Sequence, residues 1–408
     1  MGIAGSKVAV VGGSIAGCAA AIALSRAGCQ VEVLERSSSG LSDRGAGIAI
    51  PHALRETLIA ADYLDADYPY WPAKKRVWLT KNGDSPTGDV LWEQAGEASL
   101  NNWSILWKSL RSRVDDSIYR EGERVLSFQQ DDDGVTVMLD SHQRERFDVL
   151  IGADGYRSLT RHRLFPETHI EYAGYVLWRG NFAEARVKDR APIDEADQSH
   201  AWHTICFPGG HGVFYMIPGN EDSADVGQRR VNWAIYAATP DGLVLDRPGS
   251  IAPGEIGPDI EASWRQILTD HFPPWHKYLI ELTRPMELSI QPIYDETVPA
   301  YHSGRIALIG DAGTVTRPHT GSGATKALQE ALLLEELTQE LDDWGSILDR
   351  YDSERTAAGN SIVELGRRIG AAQVENTPPW REMQPADFES WVSDTLSGTK
   401  LYFYGDQD

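Results

Sequence analysis

At 408 residues the chain is long for one hydrophobic core, and its 41% hydrophobic and 24% charged content is that of a globular protein of two domains. A net charge of −22 repels nucleic acid and anionic membrane surfaces, so neither is expected as a partner, although a small anion answers only to the field at its own site. No apolar run reaches the ~18–20 residues of a spanning helix, and the N-terminus lacks the pattern of a signal peptide.

The first element is "KVAVV", Lys7 to Val11, a β-branched run of the kind found in buried parallel strands. "GGSIAG" follows with Gly12, Gly13, Ser14 and Gly17, and apolar residues at near-helical spacing run to Gly28, which closes a helix. "QVEVLE" is a second strand ending in Glu35. This strand–turn–helix–strand order is the setting of a dinucleotide fingerprint. Gly12 permits the tight turn, Gly17 the close approach of helix and strand, and the helix N-terminus offers amides to a pyrophosphate. Glu35, eighteen residues past Gly17, is placed to accept from ribose hydroxyls. Ser14 stands where the middle glycine of the fingerprint is usual, and it is small enough for the same close approach.

Further along, "KRVWLTKNGDSPTGDVLWEQ" alternates like a strand pair, with Asn82-Gly83 as its hairpin turn. "FDVLIGADGYRSLTRHRL" sets a strand before Asp154-Gly155, Ser158 and Arg161. "YVLWRGNF", "AWHTICFPGGHGVFYMIPG" and "VNWAIYAA" are more strands, with "PGG" and "PGN" as turns. "RIALIGDAGTVTRPHTGSGATKAL" runs from a buried strand through Gly310-Asp311 and a loop with Pro318, His319, Gly321 and Gly323 into a helix. "ALQEALLLEELTQELDDW" carries the leucine stripe of that helix. Cys18, Cys29 and Cys206 form no CxxC pair and no metal-ligand spacing, so no metal and a reducing cytoplasm are expected. The pattern gives an α/β chain with a discontinuous first domain at 1–73, 101–170 and 288–375, and a β-sheet domain at 74–100 and 171–287. A tail at 376–408 caps the core or makes dimer contacts.

Gly12–Gly17 with Glu35, Asp154–Arg161 and Gly310–Gly323, in that order, resemble the motifs of the single-component FAD-dependent aromatic-ring hydroxylases related to 4-hydroxybenzoate hydroxylase. The likeness spans roughly residues 5 to 370. "VVGGSIAG", "YAGYVLWRG" and "RPHTGSGATKA" are most similar to the members acting on hydroxypyridines, namely 2,6-dihydroxypyridine 3-hydroxylase and 6-hydroxynicotinate 3-monooxygenase. The resemblance implies a Rossmann-like FAD domain of the glutathione-reductase type plus a substrate sheet. It also implies NAD(P)H and O2 as co-substrates, a flavin C4a-hydroperoxide as oxidant, and a small hydroxylated aromatic or N-heteroaromatic ring as substrate. It allows a homodimer.

For the cofactor it implies Gly12, Gly13, Ser14 and Gly17 at the pyrophosphate, Glu35 and Arg36 at the adenosine, and Gly47 beside the flavin ring. Asp154 falls at the motif serving both cofactors, Asp311 at the ribityl chain with Pro318 in the adjoining loop, and Gly321, Gly323 and Ala324 at the flavin's N1 edge. Two positions depart from the family: Thr314, preceded by Gly313, stands where histidine is usual, and Trp107 where arginine is.

The implied chemistry needs amides facing the reduced flavin, an apolar pocket that excludes water, and a base for the ring hydroxyl. Catalytic candidates are His52, His211 and Tyr215; substrate-facing candidates add His203, Cys206 and His319. Alternation puts Val213, Tyr215 and Ile217 on one strand face and Phe214 and Met216 on the other, without saying which lines the pocket. Arg179 is open between a site residue and an ion pair joining the domains. The same motifs would also serve epoxidation, Baeyer–Villiger insertion or oxidative decarboxylation in a biosynthetic pathway, or a flavin-binding protein without turnover.

Overall fold

The computed structural model describes residues 3–41, 46–219, 221–243 and 249–397. Residues 42–45, just before the expected flavin-side Gly47, and residues 1–2 and 398–408 of the termini lie outside them. Two large sheets organise the chain. The first has six strands in the spatial order His302–Ser303, Ile306–Leu308, Val149–Gly152, Lys7–Val11, Gln30–Glu35 and Tyr119–Glu121. All neighbours are parallel except the outer pair His302–Ser303 and Ile306–Leu308. Val8 to Val10 and Val149 to Ile151 are buried, as parallel strands covered on both faces must be. The Ile15–Arg26 helix covers this sheet, and Cys18, Ala19, Ala20, Ala21 and Ala23 are all buried on it. Small side chains on every face let this helix sit between the sheet and the Ser322–Glu340 helix.

The second sheet has eight strands in the order Leu288–Asp295, Glu171–Ala183, Arg230–Ala238, Gly210–Ile217, Ala201–Phe207, Trp71–Thr80, Asp89–Asn102 and Gly47–Ile50. Only the Ala201–Phe207 and Trp71–Thr80 pair is parallel. One face packs Val176, Trp178, Phe214, Trp233 and Ile235 against Trp264, Leu268, Phe272, Trp275 and Leu279 of two helices, Pro258–His271 and Pro274–Glu281. The other face looks toward the first sheet.

Several expectations shift. Gly47–Ile50 and Leu288–Asp295, expected in the first domain, both pair in the eight-stranded sheet. Residues 125–147 hold a separate three-stranded sheet within the stretch expected to belong to the first domain. Asn82-Gly83 is no two-residue hairpin: the connection runs from residue 81 to 88, and Asn82 accepts from the Ser85 amide inside it. Pro208-Gly209 does make a tight turn, with Gly209 at φ +78°. The leucine-rich helix ends at Glu340; Trp344 opens a new one, capped by Asp343 accepting from the Ser346 amide at 2.9 Å.

Candidate active site

The cavity between the two sheets holds about 430 Å³. Its roof comes from turns of the first sheet: Ser14 to Ala16, Ala153, Gly155, Asp311, and Pro318 to Ala324 excepting Ser322. Its floor is the exposed lattice of the second sheet. Register sets Arg179 beside Ala234 and Val213, and Leu177 beside Tyr236 and His211, while Asn232 pairs with Tyr215. The face left open by alternation is therefore the one bearing Val213 and Tyr215.

Two helices point uncapped N-termini at this space. Ser14 precedes the Ile15–Arg26 helix and Gly321, at φ +63°, precedes the Ser322–Glu340 helix; neither end has a side-chain cap. Their first amides remain donors for a ligand. A Cβ on Gly323 would meet nothing within 4 Å, so the second terminus opens on free space. Beside the first, Trp107 Nε1 and the Tyr119 hydroxyl both donate to the Gly13 carbonyl at 2.9 Å. Trp107 thus braces the turn without the charge of an arginine, and its ring lies nearly parallel to that of Trp103 in the cavity wall.

Gly310 and Asp311 show how the strand end is held. Gly310 has φ +63°, its amide donates to Glu330 Oε2 at 2.6 Å, and its carbonyl accepts from Lys326 Nζ at 2.6 Å. Lys326 and Glu330 are fully buried and paired at 3.0 Å. Burial works against the Lys326 ammonium, but Glu330 and Tyr301 overrule it and raise its pKa. From the other side Arg161, fully buried and paired with Glu296 at 2.7 Å, donates to the Asp311 carbonyl at 2.8 Å. The Asp311 carboxyl faces the cavity, and burial raises its pKa against the pull of Lys326 and Arg161. Gly313 is required where it stands, because a Cβ there would lie 2.6 Å from the Tyr301 ring. Thr314 bonds the hydroxyl of that tyrosine at 2.8 Å.

On the floor, His211 stacks on Tyr236 with centroids 4.6 Å apart, and Tyr236 on His319 at 4.0 Å. His319 Nε2 and the Tyr175 hydroxyl share a hydrogen bond of 2.7 Å. Burial pushes the His211 pKa down to about 3 and that of His319 well below the ordinary value. Arg179 donates to the Gln291 amide oxygen at 3.2 Å and makes no ion pair among the described residues. The interdomain ion pair considered for it is not there. Burial lowers its pKa, and its guanidinium faces the cavity.

Of the residues expected from sequence, Ser14, Gly47, His211, Tyr215, Asp311, Pro318, His319, Gly321, Gly323 and Ala324 line this cavity. Gly12, Gly13, Gly17, Glu35 and Arg36 lie behind it, along the turn after the first strand and at the end of the second. Glu35 is buried there and accepts from the Gly13 and Ser37 amides at 2.7 Å each. Asp154 turns away from the cavity to accept from the Ser158 hydroxyl and the Thr160 amide, which braces the following short helix.

Three candidates fall outside. His52 opens the His52–Ala60 helix on the surface, its side chain 48% exposed and 4.0 Å from Glu56. His203 points to the opposite face, where it meets His276 at 3.1 Å. Cys206 shares the floor's face but packs with Trp78 of the neighbouring strand under Trp380 and Phe388 of the tail. Arg76, Trp202, Asn232, Tyr236, Gln291 and Gln373 line the cavity but were not singled out from sequence. Strand alternation from Tyr215 would have reached Asn232 and Tyr236 only if the pairing register were known.

The uncapped amides, the buried glycine turns and the cavity-facing Asp311 suit an extended dinucleotide with a flat ring at its end. Comparison with known proteins agrees. The family described as FAD dependent oxidoreductase matches residues 7–178, FAD binding domain-like matches 172–285, and FAD binding domain matches 259–365. The chain is 26% identical to 2,6-dihydroxypyridine 3-monooxygenase of Paenarthrobacter nicotinovorans, over 90% of its own length and 91% of the relative's. It is 24% identical to 6-hydroxynicotinate 3-monooxygenase of Bordetella bronchiseptica, over 92% and 94%. The solved 2,6-dihydroxypyridine-3-hydroxylase from Arthrobacter nicotinovorans superposes with a TM-score of 0.80 at 23% identity, covering 98% of this chain and 96% of that one.

Proposed function

Because the chain belongs to the FAD-dependent aromatic-ring hydroxylases, we propose that it places one oxygen atom of O2 on a small hydroxylated aromatic or N-heteroaromatic ring. NAD(P)H supplies the two electrons, and the second oxygen atom leaves as water. Bound FAD supplies the oxygen activation. Gly12, Gly13, Ser14 and Gly17 would face its pyrophosphate, Glu35 and Arg36 its adenosine, Asp311 its ribityl chain, and Gly47 and Gly321 to Ala324 its ring.

The chain's own side chains do the rest. Leu177, Val213 and Tyr236 offer a ring-sized apolar floor that keeps water out. The observation that carries the reading is Arg179, a half-buried guanidinium on that floor that donates to an amide oxygen and makes no ion pair among the described residues. A cation there favours the ionised form of a ring hydroxyl, and the ionised ring is the one that attacks an electrophilic oxygen. His211 and His319 stay neutral beside it and serve as hydrogen-bond partners. Three free, buried thiols favour a reducing, cytoplasmic setting for the enzyme. No described helix is long and apolar enough to cross a membrane.

The test is a panel of hydroxylated pyridines, quinolines and benzoates given to the FAD-loaded protein with NADH or NADPH. We expect at least one ring to stimulate NAD(P)H oxidation and to return carrying an added oxygen. Oxidation that no ring stimulates would remove the hydroxylase reading.

A further inference from the structure

The lining of the cavity includes Arg76 and Gln373, and these same two residues line a second, smaller void. That void holds about 10 Å³, roughly the space of one water, and is otherwise walled by Trp78, Gln94, Trp391, Val392, Thr395 and Leu396. It lies under the C-terminal Pro385–Leu396 helix.

The two sides of the partition are built differently. Arg76 is clamped: its Nε donates to the Thr204 hydroxyl at 2.6 Å and its guanidinium lies 3.9 Å from the Trp78 ring. Gln373 is carried on a widened turn. Residues Ala371–Glu375 continue the long Trp344–Gly370 helix as a π turn, in which the Asn376 amide donates to the Ala371 carbonyl five residues back. This turn sets the Gln373 carbonyl 3.4 Å from His211 Nδ1, and the buried residue lines both spaces.

Beyond it the tail is firmly packed. Trp391 meets Trp78 and Trp380 edge-on at 5.5 and 5.1 Å, and Arg368 donates to the carbonyls of Thr395 and Ser397. The far wall is therefore held in place, which leaves Arg76 and Gln373 as the residues shared by the two spaces.

We propose that Gln373, set against Arg76, determines substrate size, confining the site to single rings and closing off a latent extension beneath the C-terminal helix. The inference rests on the ring-hydroxylase reading above. Gln373→Ala should join the two voids, whereas Gln373→Met keeps the length of the side chain without its amide.

The experiment compares a hydroxypyridine with a hydroxyquinoline on the FAD-loaded wild type and both variants, by kcat/KM and by the change in flavin absorbance on binding. Gln373→Ala should raise the two-ring to one-ring ratio about tenfold or more, since one misfitted methylene in such a pocket already costs about tenfold. Gln373→Met should keep the wild-type ratio. A ratio unchanged in Gln373→Ala, or moved equally by Ala and Met, overturns the size role while leaving the hydroxylase reading intact. A wild type that neither binds nor oxidises either ring sinks that reading and this inference together. Bound FAD in each variant reports that the fold is kept.

Discussion

Among single residues, burial decides which ionisable group in the cavity can do proton chemistry. A histidine whose pKa lies at about 3 holds no proton near neutral pH, so His211 is a poor general base although it stands where one was expected. Arg179 needs no proton of its own to act. At a few ångströms a charge with an effective dielectric constant near 20 is worth about 4 kcal/mol, enough to move a neighbouring hydroxyl's ionisation by one to two pH units after solvent losses. Removing the cation disfavours the ionised ring. In Arg179→Gln the acid limb of the kcat profile should therefore move to higher pH by about one unit or more. A profile that only drops in height would give Arg179 a binding role alone. His52, by contrast, is a surface side chain outside the cavity, and His52→Ala should leave the pH profile as it is. A displaced limb in that variant would return His52 to the site.

At the scale of elements, the turn that presents Asp311 is gripped by two buried ion pairs, Lys326 with Glu330 and Arg161 with Glu296. Breaking a buried pair from one side leaves an unpaired charge and typically costs about 3–5 kcal/mol. Lys326→Ala should lower the urea midpoint accordingly and also weaken FAD retention, because the Gly310 carbonyl loses its donor and the Glu330 carboxylate is left with the Gly310 amide but no cation. Asp311→Ala removes no such grip, so it should lose FAD with little change in that midpoint; a fully yellow Asp311→Ala protein would dismiss the ribityl role. The turn itself was legible in the sequence, since a buried strand ending in Gly-Asp before a glycine-rich helix start has few other uses. The grip was not. Nothing in the sequence says that Lys326 and Arg161 are buried, or that the fold sets Glu330, Glu296 and four backbone carbonyls against them. The floor was hidden for a related reason. Alternation reveals pairs of faces but not which face is wet, and eight strands from four stretches of chain must be registered before Arg179, Tyr215 and Tyr236 become neighbours.

The molecule as a whole carries a net charge of −22, yet it buries several histidines in their neutral form, and the two features push acid stability in opposite directions. Lowering the pH toward the isoelectric point relaxes the mutual repulsion of carboxylates, which favours the fold. The histidines act the other way. Desolvation holds His203 at about 4 and His211 at about 3, whereas in the unfolded chain each takes a proton near pH 6.5. Between those limits the unfolded state binds more protons, so stability rises with pH and falls on acidification, by about 1.4 kcal/mol per pH unit for each fully neutral histidine. Burial opposes the charge of Glu184, but Arg229 and Arg190 overrule it and hold its pKa at about 2, so its contribution is lost only at more acid pH. A window from about pH 4.5 to 6.5 therefore isolates the histidines. Comparing His211→Phe with wild type, both FAD-loaded, cancels the background of charge repulsion common to the two. Urea unfolding across that window should show the stability of wild type falling more steeply toward acid, by about 1.4 kcal/mol per pH unit. Parallel curves would mean that His211 is protonated in the folded protein, and the floor beneath the ring would then carry a second cation beside Arg179.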